Sequence, residues 1–172
     1  MAVEQYCRIL QVVGYQNSGK TTLMEKVIKE CTSLGWDTAT IKHHGHHTSL
    51  KKEIVLKDSE RHEQAGASMT AVEGGGALQL HIKNQTWSLK KLILLYQHFS
   101  PDVILVEGFK KESYPKVVLI RGIEDVKLLE KLENIVCVIT WKPVQLETRH
   151  YPIYNLDDSS DYLNYIIQKL SD

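Results

Sequence analysis

The sequence lacks an excess of either charge, a cysteine framework and a long apolar run, and each absence removes a class of function. Basic and acidic residues balance at 21 each. A nucleic-acid binder ordinarily carries a basic surplus, because phosphate contacts dominate its affinity, so no nucleic-acid partner is expected. The three cysteines, Cys7, Cys31 and Cys137, stand far apart, each within an apolar run. That fits reduced, buried thiols rather than a disulfide framework or a zinc ribbon. The opening Met1-Ala2-Val3-Glu4-Gln5 has no basic segment followed by an apolar stretch, so no secretory leader is read there. No uncharged stretch is long enough to cross a bilayer. A cytoplasmic protein without a membrane partner is therefore expected. The chain shows no repeat, low-complexity tract or linker. Its 172 residues, 42% of them hydrophobic, suffice to bury roughly 70% of the unfolded surface, and a single domain over 1–172 is expected.

What is present has alternating strand and helix character. Ile9 to Val13 reads as a strand ending at Gly14. Leu23, Met24, Val27, Ile28, Cys31 and Leu34 recur at helical spacing until Gly35. Asp37 to Lys42 reads as a second strand, completing a βαβ unit and implying a parallel sheet. His43 to Lys57 is a polar loop, and a short helix capped by Asp58 or Ser59 runs to Ala65. Ser68 to Glu73 and Ala77 to Lys83 flank Gly74-Gly75-Gly76 as a hairpin. An amphipathic helix from Leu89 to Phe99 precedes Val103 to Val106, an apolar run typical of a strand buried on both faces. Val117 to Ile120 and Ile135 to Ile139 repeat that pattern, joined by a helix over Asp125 to Leu132, and a last helix carries Tyr162, Leu163, Ile166, Ile167 and Leu170. The expected fold is α/β: a three-layer sandwich of the P-loop NTPase kind, with a mostly parallel sheet and an added β-hairpin.

The strongest chemical signal is Gly14-Tyr15-Gln16-Asn17-Ser18-Gly19-Lys20-Thr21, which matches the phosphate-loop pattern G-x-x-x-x-G-K-[ST] between a strand and a helix. Gly14 and Gly19 let the backbone turn so that successive amides, including those of Asn17 and Ser18, face one anion at a helix N-terminus. Lys20 is expected to reach the β- and γ-phosphates, the Thr21 hydroxyl to coordinate Mg2+, and Thr22 to contact the α-phosphate. Glu107 follows four apolar residues at a strand's C-terminal end, where ligands of such sheets collect. It borders the magnesium shell, directly or through water, or else caps the strand or pairs with Lys110. Asp58 caps its helix, belongs to a switch segment near the γ-phosphate, or does both.

Lys42-His43-His44-Gly45-His46-His47 places four imidazoles after the second strand. They suit zinc or nickel, contact with phosphate or a pterin-type substrate, or a solvated loop, with Lys42 as a supporting cation. Arg61, on the short helix, faces either a phosphate or solvent. Trp36, Trp87 and Trp141 show no spacing that suggests a stacking site.

Gly-Tyr-Gln-Asn-Ser-Gly-Lys-Thr-Thr-Leu, Thr-Ile-Lys-His-His-Gly-His-His, Lys57-Asp58-Ser59 with Arg61, Ala65-Gly66-Ala67 and Val106-Glu107-Gly108-Phe109-Lys110 occur in that order. The combination resembles the molybdopterin-guanine dinucleotide biosynthesis protein B family (MobB) over most of the chain. The resemblance implies a GTP-binding protein with weak GTPase activity that assists a partner nucleotidyltransferase, the molybdopterin guanylyltransferase, in joining GMP to molybdopterin. It also implies a homodimer, GTP and Mg2+ as cofactors, nucleotide contacts from Gly14 to Thr22, and Glu107 and Asp58 beside the magnesium. His43 and its neighbours would lie at the phosphate side or the dimer groove. The family carries acidic residues shortly after the histidines, where this chain has Thr48-Ser49-Leu50-Lys51-Lys52. The guanine signature Asn-Lys-x-Asp is absent, with Lys142 after the strand ending at Ile139 as its only trace. The preference for guanine therefore comes from the resemblance alone. Two other readings stand beside it. A GTP-dependent metal-insertion chaperone rests on the histidines. A small-molecule kinase needs an arginine-rich lid that Arg61, Arg121 and Arg149 are too scattered to build.

Overall fold

The structure is a computed structural model that describes residues 7–44, 57–83, 86–144 and 150–172. In chain order the elements begin with β1 (Arg8–Gly14), α1 (Lys20–Ser33), β2 (Thr38–Lys42), α2 (Lys57–Gln64), β3 (Met69–Gly74) and β4 (Ala77–Ile82). They continue with α3 (Leu89–Gln97), β5 (Val103–Glu107), β6 (Lys116–Ile120), a 3-10 helix (Ile123–Lys131), β7 (Ile135–Thr140), β8 (Ile153–Asn155) and α4 (Ser159–Ser171). Contacts divide the chain into two compact units, Met1–Gly45 with Leu89–Asp172, and His46–Ser88.

The larger unit is built on a six-stranded sheet in the order β2-β5-β1-β6-β7-β8, with every neighbouring pair parallel. Every residue of β5 and β6 is buried, as continuous apolar runs require when both faces of a sheet are covered. Leu10, Val12, Leu105 and Leu119 pack on one face with Val27 of α1 and Ile166 of α4. On the other face Val13, Val118 and Val138 meet Leu128 and Leu129 of the 3-10 helix, while Ile41, Ile104 and Val106 meet Leu89 and Ile93 of α3. The result is the expected three-layer α/β sandwich. Cys31 and Cys137 lie in its core, where burial pushes the Cys137 thiol up to about 12.

Helix α1 ends where the sequence places its stop. Gly35 adopts a left-handed φ of 76°, the Gly35 amide donates to Thr32 and the Trp36 amide to Cys31. These are the paired bonds of a glycine-terminated helix, and they satisfy carbonyls that the helix cannot.

Several elements differ from the sequence reading. The segment expected as a helix over Asp125 to Leu132 is a 3-10 helix spanning Ile123–Lys131. Its Asp125 carboxylate accepts the Arg121 backbone amide at 3.0 Å, which tightens the entry to that turn. Strand β8 was not expected: it has three residues, too few to show a period, and exists by pairing with β7. Strand β6 also begins one residue early, at Lys116, which is fully buried. Its ammonium donates to the carbonyls of Tyr114 at 2.7 Å and Glu133 at 2.6 Å, so the buried charge is hydrogen-bonded.

The smaller unit contains α2 and the antiparallel pair β3–β4. Gly75 and Gly76, with φ of 59° and 79°, supply the two positive-φ positions that a two-residue hairpin turn demands. The Glu63 carboxylate of α2 accepts from Thr70 Oγ1 at 3.1 Å, Lys83 Nζ at 2.6 Å and the His81 ring, tying helix to hairpin. This is the expected added hairpin. Among the described residues no helix is long and apolar enough to cross a membrane.

Candidate functional site

Strand β1 delivers Gly14 to the C-terminal edge of the sheet, and the chain turns through Tyr15–Gly19 into α1. A Cβ on Gly14 would stand 2.4 Å from Ser18 Oγ and 2.8 Å from the Leu119 carbonyl oxygen, so only glycine allows the loop to fold back this tightly. Asn17 and Gly19 take left-handed φ values of 58° and 87°. Among the described residues, none of the Gly19, Lys20 and Thr21 amides has a backbone acceptor. They are the open donors of a helix start, which attracts an anion. Ser18 Oγ is buried without a partner.

The register of the sheet places the charged groups around that loop. Strand β5 lies between β1 and β2, with Glu107 opposite Val12 on one side and Lys42 on the other. Thr21 Oγ1 donates to Glu107 Oε2 at 3.2 Å. Lys42 Nζ reaches the same carboxylate oxygen at 3.2 Å and Thr21 Oγ1 at 3.4 Å. Lys20 Nζ is bent back onto the Tyr15 carbonyl at 2.6 Å. Burial draws the Lys20 ammonium below its ordinary value; Glu107 opposes this, while Lys110, Lys42 and Arg121 add to it. Several cations thus act on the loop's lysine, and the Glu107 carboxylate meets Lys42 and Thr21.

The turn after Glu107 is held from below. Gly108 and Phe109 both have positive φ, 99° and 51°, and the Gln11 side-chain amide donates to both carbonyls, at 3.0 and 2.9 Å. The His43 amide donates to the Glu107 carbonyl at 2.9 Å, and its ring lies 4.5 Å from that of Phe109. A Cβ on Gly108 would meet His43 Cβ at 3.0 Å.

Of the residues singled out in the sequence, Gly14, Asn17, Ser18, Gly19, Lys20, Thr21, Thr22, Lys42, His43 and Glu107 therefore belong to one unit and one edge of its sheet. Thr22 is exposed one position beyond Thr21, and His44 is exposed after His43. Glu107 pairs with Lys42 and not with Lys110, whose Nζ sits 4.4 Å from the Tyr15 ring centroid. Asp58 is the second residue of α2, in the other unit. Gly45, His46, His47, the Thr48–Lys52 segment and Arg149 lie outside the described residues. Among the described residues no group of three His, Cys, Asp or Glu side chains is placed to hold a metal ion.

Other contributors had no motif to announce them. Trp141, 45% exposed at the end of β7, donates its indole N–H to the Ser18 carbonyl at 3.1 Å and lies against Gly19. Arg121, at the end of β6, forms a two-pronged pair with Asp125, Nε to Oδ2 at 2.9 Å and Nη2 to Oδ1 at 3.2 Å. That bond holds the Asp125 carboxyl below the ordinary carboxylate range against the opposing effect of burial. Tyr15, Gln16, Asn17, Arg121, Glu124 and Asp125 line a cavity of about 530 Å³ beside the loop.

As for magnesium, the hydroxyl and carboxylate oxygens of Thr21 and Glu107 are hard donors within hydrogen-bond distance of one another, a pair suited to that ion and its waters.

Comparison with known proteins places this geometry in context. Residues 9–141 match the family model for molybdopterin guanine dinucleotide synthesis protein B, MobB. The chain is 40% identical over 158 residues to the probable molybdopterin-guanine dinucleotide biosynthesis adapter protein of Bacillus subtilis, covering 92% of this chain and 91% of that one. The crystal structure of Bacillus subtilis MobB superposes with a TM-score of 0.81 at 40% identity, over 94% of this chain and 96% of that one. The crystal structure of a MobB homolog from Bacillus stearothermophilus gives 0.78 at 39% identity, over 95% and 97%.

Proposed function

We propose that this chain, which belongs to the molybdopterin guanine dinucleotide synthesis protein B family, is an adapter that binds GTP with magnesium and serves the attachment of GMP to molybdopterin. One observation carries the nucleotide part of this reading. Lys20, Thr21, Lys42 and Glu107 converge within about one hydrogen-bond length of each other or of the loop, at the ends of adjacent parallel strands. The adapter role is supported by the name given to the Bacillus subtilis relative, and the choice of guanine by the family.

In this reading the open amides of Gly19, Lys20 and Thr21 take the phosphates. Lys20 exchanges the Tyr15 carbonyl for the β- and γ-phosphate oxygens, an easy exchange because a charged acceptor binds an ammonium more strongly than a neutral carbonyl does. Thr21 and Glu107 would hold magnesium and its waters, and the ion would supply charge neutralisation to the nucleotide's phosphates. Without the ion, Lys42 pairs with Glu107 and holds the carboxylate beside Thr21. Among the described residues no glutamine is assigned to position an attacking water, so hydrolysis by the isolated chain is slow. A partner nucleotidyltransferase, or a second copy in a homodimer, completes the site.

Calorimetric titration with GTP and with ATP, each in magnesium, tests the proposal against a Lys20→Ala control. Preferential binding of GTP that disappears in the control supports it. Equal affinity for the two nucleotides, or a preference for ATP, removes the guanine assignment, and no binding of either removes the nucleotide reading.

A further inference from the structure

The Lys42 ammonium lies against both oxygens that the nucleotide reading gives to magnesium. Its Nζ stands 3.2 Å from Glu107 Oε2 and 3.4 Å from Thr21 Oγ1, and those two oxygens are 3.2 Å apart. The three atoms form a nearly equilateral triangle with a positive charge at one corner. Lys20 does not share this place, because its ammonium is turned onto the Tyr15 carbonyl. The single charge of Glu107 is therefore answered by Lys42.

The backbone on both sides of this contact is fixed, and the lysine stem is not. Lys42 and Glu107 are paired in the register of β2 and β5, and the His43 amide donates to the Glu107 carbonyl at 2.9 Å. The Glu107 side chain is only 11% exposed, whereas that of Lys42 is 61% exposed. An ammonium on a flexible, solvated stem withdraws into water at little cost. The enclosed carboxylate stays behind.

Magnesium is a hard cation that takes oxygen ligands. An ion seated on Thr21 and Glu107 would have the Lys42 charge within a few ångströms, where like charges repel. Ammonium and ion are alternative occupants of the same pair of oxygens. We infer that Lys42 competes with the divalent ion for Glu107 and Thr21, so that the site disfavours the bare ion and accepts it together with a nucleotide, whose phosphates offset both positive charges. The inference deepens the nucleotide reading and rests on it for the two oxygens assigned to the ion.

Manganese, which shares magnesium's preference for oxygen ligands and whose free form is counted by electron paramagnetic resonance, is titrated into the full, nucleotide-free chain. Lys42→Met keeps the stem and removes the charge. It should bind manganese roughly tenfold more tightly than wild type, the scale of one screened like charge a few ångströms away. Lys42→Arg retains the charge and should stay near wild type. Adding Glu107→Gln to Lys42→Met should abolish the gain. Lys110→Met removes an equal charge from the ammonium over the Tyr15 ring, and its gain should be smaller. An ion pair as exposed as that of Lys42 contributes little to stability; melting is checked, and Lys42→Gln repeats the measurement if Lys42→Met melts early. In chains loaded with β,γ-imido-GTP the difference between wild type and Lys42→Met should narrow to about twofold or less, because the phosphates offset the lysine charge.

Manganese binding by Lys42→Met no tighter than wild type overturns the inference. So does a gain that survives Glu107→Gln, an equal gain from Lys110→Met, or an undiminished gain in the loaded chain. The nucleotide reading is judged separately by calorimetry with GTP. GTP binding without any manganese gain upholds that reading and removes this one. If wild type binds no nucleotide, the nucleotide reading falls, while a Glu107-dependent gain in the free chain upholds the competition between Lys42 and the ion.

Discussion

Thr21 and Glu107, 86 positions apart in the chain, meet in a hydrogen bond of 3.2 Å, and the Lys42 ammonium touches both partners. The triangle joins the start of α1 to the ends of β5 and β2 and confines one positive charge between a hydroxyl and a carboxylate. Lys42 thus sits against the same two oxygens that a divalent ion would use.

Thr21→Val removes the hydroxyl while keeping the shape of the side chain. Nucleotide affinity in magnesium should fall about 10–100-fold, the range seen when a group that supports a metal is lost. Affinity measured in excess chelator should hardly change. Calorimetry under the two conditions makes the comparison, and equal losses in both would exclude a magnesium role for Thr21.

Gly14→Ala forces a methyl group against Ser18 Oγ and the Leu119 carbonyl. Overpacking of this kind costs about 1–3 kcal/mol. Gly74→Ala meets nothing within 4 Å and should stay within about 0.5 kcal/mol of wild type. Urea melts of the two variants test whether the loop is as tight as its geometry says.

Trp141→Phe deletes one neutral hydrogen bond to the loop, at a cost of about 0.5–1.5 kcal/mol. Ligand binding that moves the Ser18 carbonyl should change the emission of Trp141. A nucleotide-dependent fluorescence change present in wild type and missing in Trp141→Phe is the expected result; a change that persists must come from Trp36 or Trp87.

The Asp125 carboxyl is held below its ordinary value chiefly by the Arg121 hydrogen bond. A carboxyl depressed in the folded state contributes its full stabilisation above the unfolded value of about 3.9 and loses it as pH falls through the folded one. Wild type should exceed Asp125→Asn in urea midpoint at neutral pH, and the two curves should converge as pH drops below about 4. Parallel curves down to acid would show that Asp125 does not act through its charge.

Much of the sheet was legible because buried parallel strands announce themselves as apolar runs: Val103 to Val106 and Val117 to Ile120 needed no tertiary information. The loop from Gly14 to Thr21 was legible because its glycines answer backbone demands local to the motif. The 3-10 turn over Ile123–Lys131 was not, since Leu128 and Leu129 suit an α-helix equally well, and the deciding bond, Arg121 to Asp125, is a side-chain choice. Trp141 and Gln11 were invisible as site residues for another reason. They act on residues far away in the chain, and strand order alone brings them together. Lys42 and Glu107 also depend on strand order, but they sit at the ends of strands beside a recognisable motif, so position alone pointed to them.

Gln11 lies on the same strand that carries the phosphate loop, and its amide grips both carbonyls of the turn that follows Glu107. The two walls of the site are consequently riveted through the middle of the sheet. A pull on Phe109, or on the His43 ring beside it, is resisted by β1 and does not dissipate in a soft connection. The Gly108 amide also donates to the Val12 carbonyl of the same strand, so the turn keeps its place on β1 even where the Gln11 bonds part.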